Sequence, residues 1–293
     1  MNPKFGPAGN SDSFFAAGLK STMQAPGWLE ERGLTAYEYQ CGHGTRVTQK
    51  TAEAFGEKAA QHGIAVSLHA PYYISLASVE EAKRDNSVGY ILASARLVSW
   101  MGGSRIVVHP GGLGGRSRGE ATALAMETLR KAQSVLDEEG LSNVHICPET
   151  MGKINQLGDL DEVLHMCTVD ERFYPCIDFG HLNSRLAGGM NTRDAFAAAL
   201  DQIHNQLGEE RGRSFHVHFS KIEYSAGGEK RHLTFADDVF GPEPMPLMTL
   251  IAERRLSPVV ICESSGTQAE DAGEMQRLWR EQAAAVYGKD EEA

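Results

Sequence analysis

The sequence predicts an α/β fold, a (β/α)8 TIM barrel forming one domain over residues 1–293. Three observations carry that expectation. Short apolar runs alternate with helical segments along the whole chain, and six of those runs end in a histidine or a carboxylate. The six ends are 40, 40, 29, 40 and 45 residues apart, room for a strand, a helix and a generous loop in each unit. Eight such units with right-handed crossovers close a barrel more naturally than an open sheet. An open nucleotide-binding sheet would carry a glycine-rich loop after its first strand. Phe5-Gly6-Pro7-Ala8-Gly9-Asn10 lacks the GxGxxG spacing.

The elements follow in order. Lys4–Pro7 is the first strand, with a short helix over Pro26–Arg32 after it. Tyr37–Gln40 is the second, followed by a helix over Thr48–His62. Ile64–Leu68 ends at His69 and precedes a helix over Val79–Met101. Arg105–Val108 ends at His109 and precedes Gly119–Glu139; Val144–Pro148 ends at Glu149 and precedes Leu157–Met166. Tyr174–Ile177 ends at Asp178 and precedes Asn191–Leu207; Ser214–Val217 ends at His218 and precedes Pro246–Glu253. Pro258–Cys262 ends at Glu263, and Gln268–Tyr287 closes the set. Apolar runs this short read as parallel strands buried on both faces. Gly63, Gly102–Gly103 and Gly140 stand just past helix ends, where a left-handed residue terminates the helix.

Composition narrows the class. Hydrophobic content of 41% and charged content of 23% fit a soluble globular chain, and no linker or low-complexity stretch divides it. The apolar stretches are strand-sized and Met1–Asn10 has no hydrophobic signal core, so neither a membrane span nor secretion is indicated. Five cysteines without a CxxC pair, three of them inside strands (Cys147, Cys176, Cys262), suggest reduced thiols and a cytoplasmic protein. A net charge of −11 argues against non-specific nucleic-acid binding, which relies on lysine and arginine. It does not exclude an enzyme acting on DNA through bound cations, whose charge the sequence count omits.

The strand ends carry the chemistry. His69, His109, Glu149, Asp178, His218 and Glu263 fall at the C-terminal rim, where TIM barrels keep their active sites. Three imidazoles and three carboxylates converging there are zinc or manganese ligands by type. Asp178-Phe179-Gly180-His181 puts two ligands on one turn, suited to adjacent metals; the plainer alternative is a helix cap beside a surface histidine. In His216-Val217-His218 two imidazoles share a strand face; His218, nearer the end, is the ligand and His216 packs in the layer below. In the loop after the seventh strand His232 is a further ligand candidate with Glu229 beside it, against a merely solvated charged loop. His43 and Arg46 lie on the loop after the second strand, at the active rim, as substrate contacts. Tyr72 and Tyr73 follow His69 and either stack on a substrate or pack their loop onto the barrel. His62, His145, His165 and His204 read as core or surface residues.

This ordered set resembles endonuclease IV, the metal-dependent apurinic/apyrimidinic-site endonucleases of the xylose-isomerase-like superfamily. The likeness runs from about the second strand to the last. It rests on His69 with Tyr72, His109-Pro110-Gly111, Glu149-Thr150 with Gly152 and Leu157-Gly158, Cys176-Ile177-Asp178 with His181, then His218 and Glu263. The resemblance implies a TIM barrel with two or three zinc ions (manganese as the alternative cation) that cleaves DNA 5′ of abasic sites in base excision repair, acting as a monomer. It implies that His69 and His109 hold the first metal and that Glu149 bridges to a second, completed by Asp178, His218 and Glu263. His181 would bind the third, and Glu149 or Glu263 would orient the hydroxide. The chain departs from the family where an Asp-x-His pair is normal: Lys230 occupies the Asp position ahead of His232. Either three metals bind, with His232 a ligand and Glu229 standing in for the Asp, or two bind and Lys230 or Arg231 points into the site, Lys230 contacting phosphate as lysines commonly do. Tyr73 after Tyr72 is a second departure. A sugar isomerase or epimerase of the same superfamily is the competing reading, since Glu149, Asp178, His218 and Glu263 suit a single-metal proton relay. A metal-dependent binding protein is a third. Metal count separates the first two.

Overall fold

The computed structural model describes residues 2–288, so Met1 and the last five residues of the expected 1–293 domain lie outside the described residues. In chain order the elements are β1 (Lys4–Pro7), α1 (Asp12–Ala16), α2 (Ala25–Glu30), β2 (Ala36–Gln40), α3 (Gln49–Gln61), β3 (Ala65–His69), α4 (Glu81–Trp100), β4 (Arg105–Val108) and α5 (Arg118–Glu138). Then come β5 (His145–Pro148), α6 (Leu160–Met166), β6 (Cys176–Asp178), α7 (Phe179–Arg185), α8 (Arg193–Ser214) and β7 (His216–Phe219). The chain ends with β8 (Lys221–Ser225), β9 (Gly228–Leu233), α9 (Pro244–Glu253), β10 (Val259–Cys262) and α10 (Gln268–Tyr287).

Eight parallel strands form two ladders, β1-β10-β7-β6 and β2-β3-β4-β5. Two single parallel bridges, Ala8 with Glu38 and Glu149 with Cys176, join the ladders at both seams and close the barrel. Pleating sends alternate residues to opposite faces. One set, including Phe5, Leu68, Ile106, Ile146, Ile177, Val217, Phe219 and Val260, packs outward against the helices in the main core. The other set faces the barrel interior, where Val107, Cys147, Tyr174 and Cys176 form one small cluster and Ala8, Ala36 and Ile261 another. At the base the Arg105 guanidinium lies 4.9 Å over the Tyr174 ring and donates to the carbonyls of Phe215 and Ser214.

The eight predicted barrel strands are all present, with ends within two residues of expectation. Four features differ, the first being the short helix α1, which the sequence did not announce. The loop after β7 is a hairpin, β8–β9, which its charged sequence did not announce. The Asp178–His181 turn continues as α7, capped by the Asp178 carboxylate accepting from the His181 backbone N–H at 2.7 Å. The helix expected to stop at Leu207 breaks at Gly208, whose φ is +82°, and then resumes to Ser214. At the starts of α5 and α6 reciprocal capping boxes, Ser117 with Glu120 and Asp159 with Glu162, satisfy free backbone donors.

Candidate metal centre

Parallel register sets the strand ends side by side: Gln40 pairs with His69, and Asp178 with His218. Glu149 is central and fully buried. Its Oε2 lies 3.4 Å from His69 Nε2 and 2.9 Å from His109 Nε2. Its Oε1 lies 3.1 Å from His218 Nδ1, which is 3.5 Å from Glu263 Oε2. One carboxylate oxygen thus faces each neighbouring group, as a bridging ligand requires. His181 sits 3.2 Å from Asp178 Oδ2 through Nδ1 and 3.5 Å from Glu229 Oε2 through Nε2. Among the described residues four groups have donor atoms mutually within 4.8 Å: His69/His109/Glu149, Glu149/Asp178/His218/Glu263 and His181/Glu229/His232 at the rim, and Cys176/His216/His218 in the layer below.

The donors fit divalent cations. His69 Nδ1 donates to the Ala70 carbonyl at 2.8 Å and His181 Nδ1 to the Thr150 carbonyl at 2.9 Å. A carbonyl only accepts, so each ring keeps its proton on Nδ1 and turns a lone pair on Nε2 toward the cleft. His232 Nδ1 is anchored on Ser220 Oγ at 2.8 Å. Glu149 Oε2 and Asp178 Oδ2, both buried, have no aligned hydrogen-bond partner, although histidine nitrogens stand close to each. Buried carboxylate oxygens without donors are costly, and a cation relieves that cost.

Electrostatics point the same way. Burial is the largest influence on Glu149 and opposes its charge, yet His109 and His218 outweigh it and hold the carboxyl well below its usual range. Glu263 is lowered as well, burial being outweighed by His218 and His232. For Asp178 burial wins and pushes the carboxyl up to about 6, despite His181. Burial works against a charge on His181 and His218, but the acids around them raise both well above an ordinary imidazole. His109 goes down, with burial the main cause. Without a cation these imidazoles offset the charge of the acids, and a bound cation would take over that role.

A family profile described as a xylose isomerase-like TIM barrel matches residues 26–284. The chain belongs to the xylose isomerase-like TIM-barrel family. An uncharacterised protein of Methanocaldococcus jannaschii is 37% identical over 216 residues, covering 72% of this chain and 77% of its own. A probable endonuclease 4 of Shouchella clausii is 27% identical over 222 residues, covering 72% and 73%. Among solved structures, a D-tagatose 3-epimerase-like protein superposes with a TM-score of 0.72 at 19% identity, covering 98% of this chain and 99% of its own. At that identity the likeness shows the fold alone.

In this family member the rim opens into a cleft of about 590 Å³, lined by His69, Tyr72, His109, His181, Glu229, His232 and Glu263 among others. Tyr72 also borders a neighbouring pocket of about 310 Å³ that holds His43 and Arg46. Both of those predicted substrate contacts therefore stand beside the cleft and not in it. Tyr73 turns away and packs its ring 5.8 Å from Tyr90. The expectation for Lys230 is corrected. Opposite Glu223 and Tyr224 the β8–β9 ladder pairs Arg231 and Glu229, which leaves Lys230 as the extra residue of a bulge. Lys230 and Arg231 both pair with Glu223, away from the cleft. The extra residue restores a common face to Glu229 and His232, which as i and i+3 of a regular strand would point apart. With the bulge, Glu229 and His232 turn their side chains to the same cleft.

Two residues escaped the sequence reading. Lys153 lines the cleft from the loop after β5. Glu38, fully buried inside the barrel, contacts His216 and His218. Its signal was present: an acid between Tyr37 and Tyr39 on a strand must face inward if the tyrosines face out. His216 lies fully buried in the layer beneath His218, as expected.

No helix among the described residues is long and apolar enough to cross a membrane, and all five cysteines are free.

Proposed function

We propose that this chain is a zinc-dependent phosphodiester hydrolase that cuts DNA 5′ of abasic sites. The observation that carries the reading is the third donor group, His181/Glu229/His232, standing beside the two groups that share Glu149. A single-metal proton relay has no use for it, nor for His69 and His109. The likeness to a probable endonuclease 4 supports the same reading.

His69, His109 and Glu149 would hold the first zinc, Glu149, Asp178, His218 and Glu263 the second, and His181, Glu229 and His232 the third. Zinc held there would lower the pKa of a water toward neutrality and offset charge on the phosphate. The residues provide the rest. Glu149, with an oxygen toward each of two groups, fixes their separation. Glu263 is half-buried at the cleft, where it can accept a hydrogen bond from the attacking water and orient it. The Tyr72 ring, 53% exposed at the cleft edge, fills the space a missing base leaves. Lys153 meets the phosphate backbone.

Zinc-loaded protein should nick an abasic duplex 5′ of the lesion, and Tyr72→Ala should weaken its binding. The competing reading is a sugar epimerase, favoured by one observation: Glu149 and Glu263 flank a single cation group, as a two-carboxylate proton relay needs. Absence of nicking with zinc, manganese or cobalt, together with ketose–aldose interconversion or ketose epimerisation, decides for that reading.

A further inference from the structure

Directly below the metal-facing side chains the barrel interior holds a second polar layer centred on Glu38. Four donors converge on its carboxylate. Ser67 Oγ and His216 Nε2 each reach Oε2 at 3.0 Å, and Gln40 Nε2 reaches Oε1 at 3.2 Å. The fourth, His218 Nε2, lies 3.0 Å from Oε1 but off the hydrogen-bond line, so that nitrogen has no aligned partner. An apolar side chain would fill this layer at far lower cost than a buried carboxylate. The placement under His218 gives the carboxylate a use.

His218 presents Nδ1 to Glu149 Oε1 and Glu263 Oε2, and Nε2 to Glu38. A neutral imidazole carries one proton, and an ionised carboxylate can only accept. A proton held on Nε2 by Glu38 leaves the Nδ1 lone pair free for a cation. We propose that Glu38 is the positioning residue of the second cation group: it sets the tautomer and ring orientation of His218, while Ser67 and His216 hold Glu38 in place. Carboxylate–histidine–metal relays of this form tune affinity in other metal sites. The inference rests on the metal reading of the centre and not on the substrate.

The same layer has a rival use. A nitrogen from each of His216 and His218 lies within 4.8 Å of the Cys176 thiol, and His216 Nδ1 is buried without a partner. A cation there would take His218 as a ligand from below and leave no proton for Glu38 to hold.

The test is cobalt titration of metal-free full-length protein, read by visible absorption, calorimetry and metal count. Glu38→Gln should weaken one of the bound ions by about 10–100-fold and alter its absorption bands, with the others unchanged. The melting temperature of the metal-free protein should hold or rise. Ser67→Ala, a milder variant, should weaken the same ion by a smaller factor. Wild-type affinity and spectrum in Glu38→Gln with a lowered metal-free melting temperature would show a purely structural role and overturn the proposal. If Glu38→Gln does not fold, an unchanged cobalt affinity in Ser67→Ala overturns it. So would a metal count that falls by one in Cys176→Ser, or a wild-type chain that takes up no cobalt. Normal cobalt binding without nicking sinks only the nuclease reading.

Discussion

At the scale of single residues the centre turns on Glu149, whose two oxygens face different groups. Glu149→Gln removes charge from both at once and should lower turnover by more than the 10–100-fold typical of an outer ligand. Steady-state kinetics of the metal-saturated variant check this; near-normal turnover would exclude a bridging role. The same scale separates two lysines, and in the opposite sense to the sequence reading. Lys153 lines the cleft, whereas Lys230 pairs with Glu223 on the outer side of the hairpin. Lys153→Ala should therefore weaken binding of a phosphodiester substrate and reduce the salt dependence of affinity by about one phosphate contact. Lys230→Ala should leave both unchanged, as titrations at several salt concentrations would show. The outcome for Lys230 was not available from spacing alone, because the extra residue of a bulge reverses which side chains face the cleft.

At the scale of elements the third donor group depends on how the β8–β9 hairpin docks. The Glu229 N–H donates to the Gly152 carbonyl at 3.2 Å, and Gly228, at φ +89°, bridges to Lys153. A Cβ on Gly152 would stand 2.6 Å from Glu229 Cβ and 2.8 Å from Ser184 Oγ. Gly152→Ala should push the hairpin off, cost about 1–3 kcal/mol by overpacking, and remove one metal ion per chain. Elemental analysis with thermal denaturation tests it; a full metal complement would show that the hairpin does not set the third group. Strands of this protein were legible because four or five apolar residues ending in a charged one make a strong local signal. The hairpin was not, since Gly-Gly-Glu-Lys-Arg-His alternates neither apolar with polar nor buried with exposed. Its pairing is decided by what it rests on.

For the whole molecule, stability and metal binding reside in different layers. Apolar side chains between the sheet and the helices form the main core, while the metal-facing donors sit above it at the rim. Chelation should abolish activity and leave the far-ultraviolet circular dichroism largely intact; global unfolding would mean that the metals are structural. Asp178 adds a pH dependence. Burial raises its carboxyl to about 6, so in metal-free protein its contribution to stability is fully present below the ordinary carboxyl range near 4 and is lost as pH rises through 6. Cation binding needs that carboxylate ionised and acts in the opposite sense. The gain in melting temperature from zinc should be large at neutral pH and shrink toward about pH 5, where the proton competes. A gain independent of pH would exclude Asp178 as a ligand.

By itself the sequence determined the barrel and the identity of most donors. Both are local properties: strand-length apolar runs specify the sheet, and a histidine or acid at each C-terminal end is carried to one rim by the parallel topology. Glu149, Asp178, His218 and Glu263 needed nothing more to be found. The tertiary structure alone decided what depends on contact between distant segments. It placed Glu229 in the cleft and turned Lys230 out of it, set Lys153 at the rim, and put Glu38 beneath His218 across the barrel. Those assignments follow from a bulge, a loop docked through Gly152, and a barrel interior in which residues 178 and 180 positions apart come within hydrogen-bond distance.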